Sequence, residues 1–169
     1  MMVRPMMQRK ICLLGAFGVG KTSLVAKFVH SIFSDKYLTT IGVKVDRKTV
    51  FIEAEQVELI IWDLYGQDDF QKLQASYLRG SSGYFLVADG TRPETLDTAV
   101  ALQRFAEDTI GKVPFMLAIN KVDLPEWQVT DDRIVDLERD RWVILRTSAK
   151  TGDGVDAAFT RLAQAMHRV

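Results

Sequence analysis

Short apolar runs alternate along this chain with segments of helical period. Lys10–Leu14 reads as a strand that ends at a glycine, and Lys21–Val29 puts Leu24, Val25, Phe28 and Val29 on one helical face. Val43–Glu53 and Val57–Leu64 read as two strands separated by Ala54-Glu55-Gln56, a hairpin with one edge strand. A short helix is predicted over Phe70–Leu78 and a fully apolar strand over Gly83–Ala88. Pro93 stands where a first helical turn tolerates it, and Leu96, Ala99, Val100, Leu102, Phe105 and Ala106 form an apolar face after it. Val113–Ile119 is a further buried run, Asp131–Glu138 a helix, Trp142–Leu145 a strand, and Val155–Arg168 a closing helix. That last helix carries Phe159, Leu162, Ala163 and Met166 on one side. Strands that are apolar throughout, alternating with helices, predict an α/β fold with a mainly parallel sheet covered on both faces. Such sheets bind ligands beyond the carboxyl ends of their strands. The polar and glycine punctuation (Gly15, Asp63, Asp89, Asn120, Thr147) follows those ends.

The 169 residues correspond to about one domain. Apolar residues make up 47% and charged residues 26%, which excludes a disordered chain. Lys plus Arg and Asp plus Glu both number 22, so the large basic excess of a nucleic-acid binder is missing. Cys12 is the lone cysteine; it reads as a small buried hydrophobe in a reducing, cytoplasmic setting. No apolar run approaches the ~20 residues of a membrane span. Residues 1–8 read as a loose tail and 9–169 as the domain. His30 and His167 have no metal-ligand spacing, and Trp127 and Trp142 carry no catalytic implication.

The first strand is followed by G-A-F-G-V-G-K-T, Gly15 to Thr22, which matches G-x-x-x-x-G-K-[ST] between a strand and a helix. Its glycines let backbone N–H groups turn towards phosphate oxygens, and the following helix adds the positive end of its dipole. Gly15, Phe17, Gly18, Val19, Gly20, Lys21, Thr22 and Ser23 are therefore the candidate phosphate site. Lys21 would neutralise the outer phosphates and the Thr22 hydroxyl would ligate Mg²⁺. The plainer alternative is a glycine-rich turn beside an exposed lysine. The base is chosen elsewhere. Asn120-Lys121-Val122-Asp123 follows a buried strand, and a carboxylate at Asp123 can accept from both the ring N–H and the exocyclic amino group of guanine. Adenine offers no such pair, and a site left unpaired in this way can reject the wrong base by ~10⁴ or more. Thr147-Ser148-Ala149-Lys150 follows the next strand and can close the pocket with backbone N–H groups.

With these motifs in this order, residues 9–168 resemble a small GTPase of the Ras superfamily. The resemblance rests on GAFGVGKT, TTIGVKV with Thr40, WDLYGQ at 62–67, NKVD at 120–123 and TSAK at 147–150, and TIGV is most similar to Rab-like members. It implies a P-loop NTPase fold of three α/β/α layers, with a mostly parallel six-stranded sheet, one antiparallel edge strand and about five helices. It implies GTP and GDP as ligands and Mg²⁺ as cofactor, the metal held by Thr22 and Thr40, with Asp63 acting through water. Phe33 would pack edge-on against the guanine, the Lys121 stem would cover its face, Asp123 would read it, and the Ala149 N–H would meet its oxygen; Asn120, Ser148 and Lys150 belong to the same pocket. The Gly66 N–H would sense the terminal phosphate and Gln67 would orient the attacking water, so Gln67, Lys21, Thr40 and Gly66 are the expected catalytic set. Effectors, exchange factors and GTPase-activating proteins are the implied partners, and nothing demands more than a monomer. The plainer alternatives are Phe33 in the core, Asp63 as a strand-end cap, and Gln67 solvated at a helix start. Trp62 reads as core.

Three departures stand out. Phe17 occupies a position that is glycine or another small residue in many relatives, and Leu64 and Tyr65 stand where Thr and Ala are usual. By the resemblance, a benzyl group at Phe17 would lie close to the terminal phosphate and Gln67 and should crowd the transition state, which makes slow hydrolysis, or a GTP-liganded scaffold that hardly hydrolyses, the alternative function. An ATP-using kinase is the remaining class, but no lid for an acceptor substrate is apparent. The end, Ala165-Met166-His167-Arg168-Val169, has no prenylation cysteine, and the start is not Met-Gly. No lipid anchor is expected, as for a tail removed from this chain or a non-prenylated or prokaryotic member.

Overall fold

A computed structural model describes residues 6–34, 43–64 and 75–168. In chain order they form β1 (Met7–Gly15), α1 (Lys21–His30), β2 (Val43–Ile52), β3 (Glu55–Leu64), α2 (Ala75–Leu78) and β4 (Gly83–Asp89). They continue with α3 (Glu94–Ile110), β5 (Phe115–Asn120), α4 (Asp131–Arg139), β6 (Ile144–Arg146) and α5 (Val155–His167). The six strands make one sheet in the order β2-β3-β1-β4-β5-β6, with β2 antiparallel to β3 and all other neighbours parallel. This is the expected mostly parallel, six-stranded architecture with one antiparallel edge strand and five helices.

Alternation along β1 sends its side chains to two separate cores. Ile11 and Leu13 join α1 and α5 residues on one face, and Cys12 and Leu14 join α3 residues on the other. On the first face Phe159 of α5 stacks on Phe28 of α1 at 4.0 Å and meets the edge of Phe85 at 4.9 Å, which locks α5 against α1 and β4. On the second, Leu96, Ala99, Leu102 and Ala106 of α3 are buried as their spacing predicts. All seven residues of β4 are buried, as befits a central parallel strand. β2 is the solvated edge, with Val45 and Phe51 exposed.

Several boundaries differ from expectation. β1 begins at Met7, so Met7 and Gln8, expected in the tail, pair with Val57 and Glu58. Polar Gln8, Arg9 and Lys10 hide this extension, because only residues 11–15 of the strand are fully buried. The hairpin turns through two residues, Glu53 (φ 51°) and Ala54 (φ 67°), with Ile52 opposite Glu55. That is a two-residue loop with both central residues left-handed, a geometry that normally recruits Asn-Gly. Of the helix expected over 70–78, Ala75–Leu78 is described, and residues 70–74 lie outside the described residues. β6 starts at Ile144, and Trp142 instead packs its ring edge on Phe115 at 5.2 Å.

Candidate functional site

The carboxyl ends of β1, β4 and β5 lie side by side, Gly15 opposite Val87 and Asp89 opposite Asn120. The loop from β1 to α1 leaves this edge. Gly18 (φ 75°) and Gly20 (φ 104°) give it left-handed turns that other residues resist. A Cβ on Gly15 would stand 2.5 Å from the Val87 carbonyl oxygen, and one on Gly20 would strike the Asn120 side-chain amide.

Three successive carbonyls of this loop are gripped by side chains from the neighbouring strand ends. Arg92 Nη2 donates to the Phe17 carbonyl at 2.9 Å, Lys121 Nζ to that of Gly18 at 3.1 Å, and Asn120 Nδ2 to that of Val19 at 3.1 Å. A trans peptide points its N–H opposite its C=O. Each bond therefore also turns the N–H of the next residue (Gly18, Val19, Gly20) away from the gripping side chain. Successive amides aimed one way favour an anion.

The helix that follows reinforces this. α1 has no acidic residue in its first turn and no side-chain cap at Gly20. In contrast, α3, α4 and α5 each carry an acidic residue there, and Thr130 caps α4 by accepting from the Arg133 N–H. The start of α1 is thus suited to an external anion. Lys21 lies at the same point, buried, with Nζ donating to the Gly15 carbonyl at 3.2 Å. Burial pushes its ammonium down to about 8, and the negative charge of Asp63 partly restores it. A desolvated cation of this kind gains from an incoming phosphate. The Thr22 hydroxyl donates to Asp63 Oδ2 at 2.5 Å, and Asp63 itself is fully buried at the end of β3. Hydroxyl and carboxylate oxygens brought together in this way are the hard donors Mg²⁺ selects, so these residues fit that ion.

On the other side, Asn120 joins three segments. Besides holding Val19, its Oδ1 accepts from the Thr147 hydroxyl at 3.1 Å and from the Ala149 N–H at 3.3 Å. Ser148, buried, donates its hydroxyl to Asp123 Oδ1 at 2.7 Å and accepts from the Thr151 N–H at 3.1 Å. Asp123 is exposed but held in place, Lys121 adopts a left-handed φ of 72°, and Lys150 is exposed. Val19 is buried in the core beneath the loop, Ser23 is half-buried on α1, and Phe17 is 44% exposed at the loop crest. Phe33 is exposed rather than part of the core. Trp62 is half-buried, with Lys10 Nζ 3.8 Å above its ring. Thr40, Gly66 and Gln67 lie outside the described residues.

Sequence reasoning marked Asp89 only as strand-end punctuation, with no role, and passed over Arg92. Asp89 is buried and its Oδ2 meets both Lys121 Nζ at 2.9 Å and Arg92 Nε at 3.0 Å. Burial alone would raise its pKa, but hydrogen bonds from Thr91, Lys121 and Arg92 hold it below the usual carboxylate value. The available signal was a carboxylate closing an apolar strand, which needs a partner wherever the strand end is dry. Trp127 also acquires a place: its ring covers Gly90, where any Cβ would collide with it.

Comparison with known proteins agrees with this geometry. The Ras family model matches residues 10–168. The Ras-related protein Rab-18 of Lymnaea stagnalis is 36% identical over 160 residues, 92% of this chain and 78% of that protein. The Ras-related protein Rab-1 of Theileria parva is 35% identical over 161 residues, covering 93% of this chain and 73% of its own. Rab-13 of Canis lupus familiaris is 32% identical over 158 residues, 92% and 78% of the two chains. The fold is that of a P-loop NTPase, and the chain belongs to the Ras family of small GTPases, with Rab-like character.

Proposed function

We propose that this protein is a guanine-nucleotide switch that hydrolyses GTP to GDP and phosphate. The observation that carries the reading is the triple grip on the Phe17, Gly18 and Val19 carbonyls, which turns amides of the loop towards one side next to the buried Lys21. On this reading those amides and Lys21 bind the β- and γ-phosphates, and Thr22, Thr40 and Asp63 hold Mg²⁺, which supplies charge neutralisation for the phosphates. Asp123, steadied by Ser148, accepts from guanine, Phe33 and the Lys121 stem flank the ring, and Asn120, Ala149 and Lys150 complete the pocket. In hydrolysis, a water oxygen bonds to the terminal phosphorus as the bond to the GDP oxygen breaks. Gln67 orients that water, and Lys21 and the loop amides hold the charge on the departing oxygens. The Gly66 N–H senses the terminal phosphate. Segments tied only to that phosphate relax when it leaves, so effector proteins read the nucleotide state, while exchange factors and GTPase-activating proteins set it. A monomeric, cytoplasmic protein acting without nucleic acid suits the balanced charge and the buried, free Cys12. Among the described residues no helix is long and apolar enough to cross a membrane.

The test is calorimetry with GDP and ADP, followed by single-turnover hydrolysis of GTP. GDP binding well above ADP, and phosphate release that falls sharply in Gln67→Leu, are the expected results. Equal binding of the two nucleotides overturns the reading.

The exposed benzyl group at the loop crest favours a second reading, a GTP-liganded module with little turnover. Freshly purified protein then carries mostly GTP, and Phe17→Gly speeds hydrolysis. Protein that carries only GDP rules this reading out.

A further inference from the structure

We infer that Arg92, anchored by Asp89, is a positioning residue that aims the Gly18 N–H at the nucleotide and so sets how long the nucleotide stays bound. The inference rests on the guanine-nucleotide reading above.

Asp89 is only 1% exposed and is fixed on the rigid end of β4. Its Oδ1 accepts from the Thr91 N–H at 2.9 Å and the Thr91 hydroxyl at 2.7 Å. That leaves Oδ2 for two cations, Lys121 and Arg92. The guanidinium of Arg92 is a planar fork, and this one is pinned on two sides: Nε on Asp89 Oδ2 at 3.0 Å and Nη2 on the Phe17 carbonyl at 2.9 Å. One carboxylate oxygen thereby controls the cations that grip two consecutive loop carbonyls.

The consequence follows from peptide geometry. The Phe17 carbonyl and the Gly18 N–H belong to the same plane, so Arg92 fixes the direction of that N–H. Gly18, at φ 75°, has no Cβ to resist rotation of this peptide, and Arg92 resists it in its place. Arg92 acts through the backbone, without touching the phosphate, and belongs with neither the glycine motif nor the base-reading motif.

The experiment compares wild type, Arg92→Ala and Arg92→Lys, each loaded with fluorescent GDP and chased with excess GDP. Thermal melting and the ¹H–¹⁵N resonance of the Gly18 amide are followed alongside. A charge-assisted hydrogen bond is lost, so release from Arg92→Ala is expected to be about tenfold faster. Arg92→Lys, which keeps the charge and one contact, falls between. The melting temperature falls only modestly, because Thr91 and Lys121 still hold the buried Asp89 carboxylate, and the Gly18 resonance moves. An unchanged release rate overturns the inference. Faster release with the Gly18 resonance unmoved assigns the effect to general loosening and also overturns it. Wild-type protein that holds no GDP overturns the nucleotide reading, and this role with it.

Discussion

Asn120 donates its side-chain amide to the Val19 carbonyl at 3.1 Å, a bond between residues 101 apart in sequence. The same side chain accepts from Thr147 and Ala149, so one amide joins the loop after β1 to the segment after β6, the two halves of the proposed nucleotide site. Asn120→Ala removes three partners from a buried spot. It is expected to cost about 3 kcal/mol of stability, each stranded polar group contributing ~1–3 kcal/mol. Urea denaturation measures this, and a loss below about 1 kcal/mol contradicts the tie.

Two left-handed glycines should respond very differently to alanine. Gly20 has φ 104° and a Cβ there runs into Asn120, whereas Gly80 has φ 79° and open space around it. Gly80→Ala is expected to cost about 1 kcal/mol, from backbone strain alone. Gly20→Ala should cost more than about 3 kcal/mol and abolish GDP binding, since the Asn120 tie must break as well. Equal costs in denaturant would show that the close approach carries no weight.

Metal removal gives a third check. The Thr22 hydroxyl and the Asp63 carboxylate stand 2.5 Å apart and, on the proposed reading, are the metal donors within the described residues. Chelation with EDTA should hasten GDP release from wild type, and Thr22→Ala should weaken Mg²⁺ affinity by roughly 10- to 100-fold. In Thr22→Ala the release rate should hardly depend on chelator. A variant as sensitive to EDTA as wild type removes Thr22 from the metal site.

Acid should reveal Asp89. Its folded pKa is depressed, because the hydrogen bonds from Thr91, Lys121 and Arg92 outweigh its burial. Such a carboxylate contributes stability that is fully present above its unfolded pKa of about 3.9 and is lost as pH falls through the lower folded value. The difference in unfolding free energy between wild type and Asp89→Asn should stay constant from pH 7 to about pH 5 and shrink below about pH 4. A gap that persists unchanged to pH 3 means that the ionised carboxylate is not what the site uses.

The strands and most helices were readable because burial imposes periodicity, and Leu96, Ala99, Leu102 and Ala106 carry that signal in residue order. The phosphate loop was readable because its glycines are needed locally, at Gly18 and Gly20, whatever surrounds them. What escaped depends on contacts between distant segments. Met7 and Gln8 look like tail, because their strand character comes from pairing with Val57 and Glu58. Glu53 and Ala54 carry no turn signature, and the ten-residue pairing of β2 with β3 imposes the left-handed turn on them. Arg92 and Phe17 lie 75 residues apart, and nothing in either neighbourhood announces their bond. Trp127 looked idle for the same reason: its partner, Gly90, is a residue without a side chain.

The alternation of Ile11 and Leu13 against Cys12 and Leu14 makes β1 the alignment key of the molecule. One residue inserted between Lys10 and Gly15 would flip both hydrophobic layers together and throw the ligand-gripping loop out of step with its neighbours. The same insertion at the 53–54 bend, on the solvated rim, would alter only a tip. Tolerance to length change is therefore set by how many layers a strand serves, and the innermost strand has none to spare.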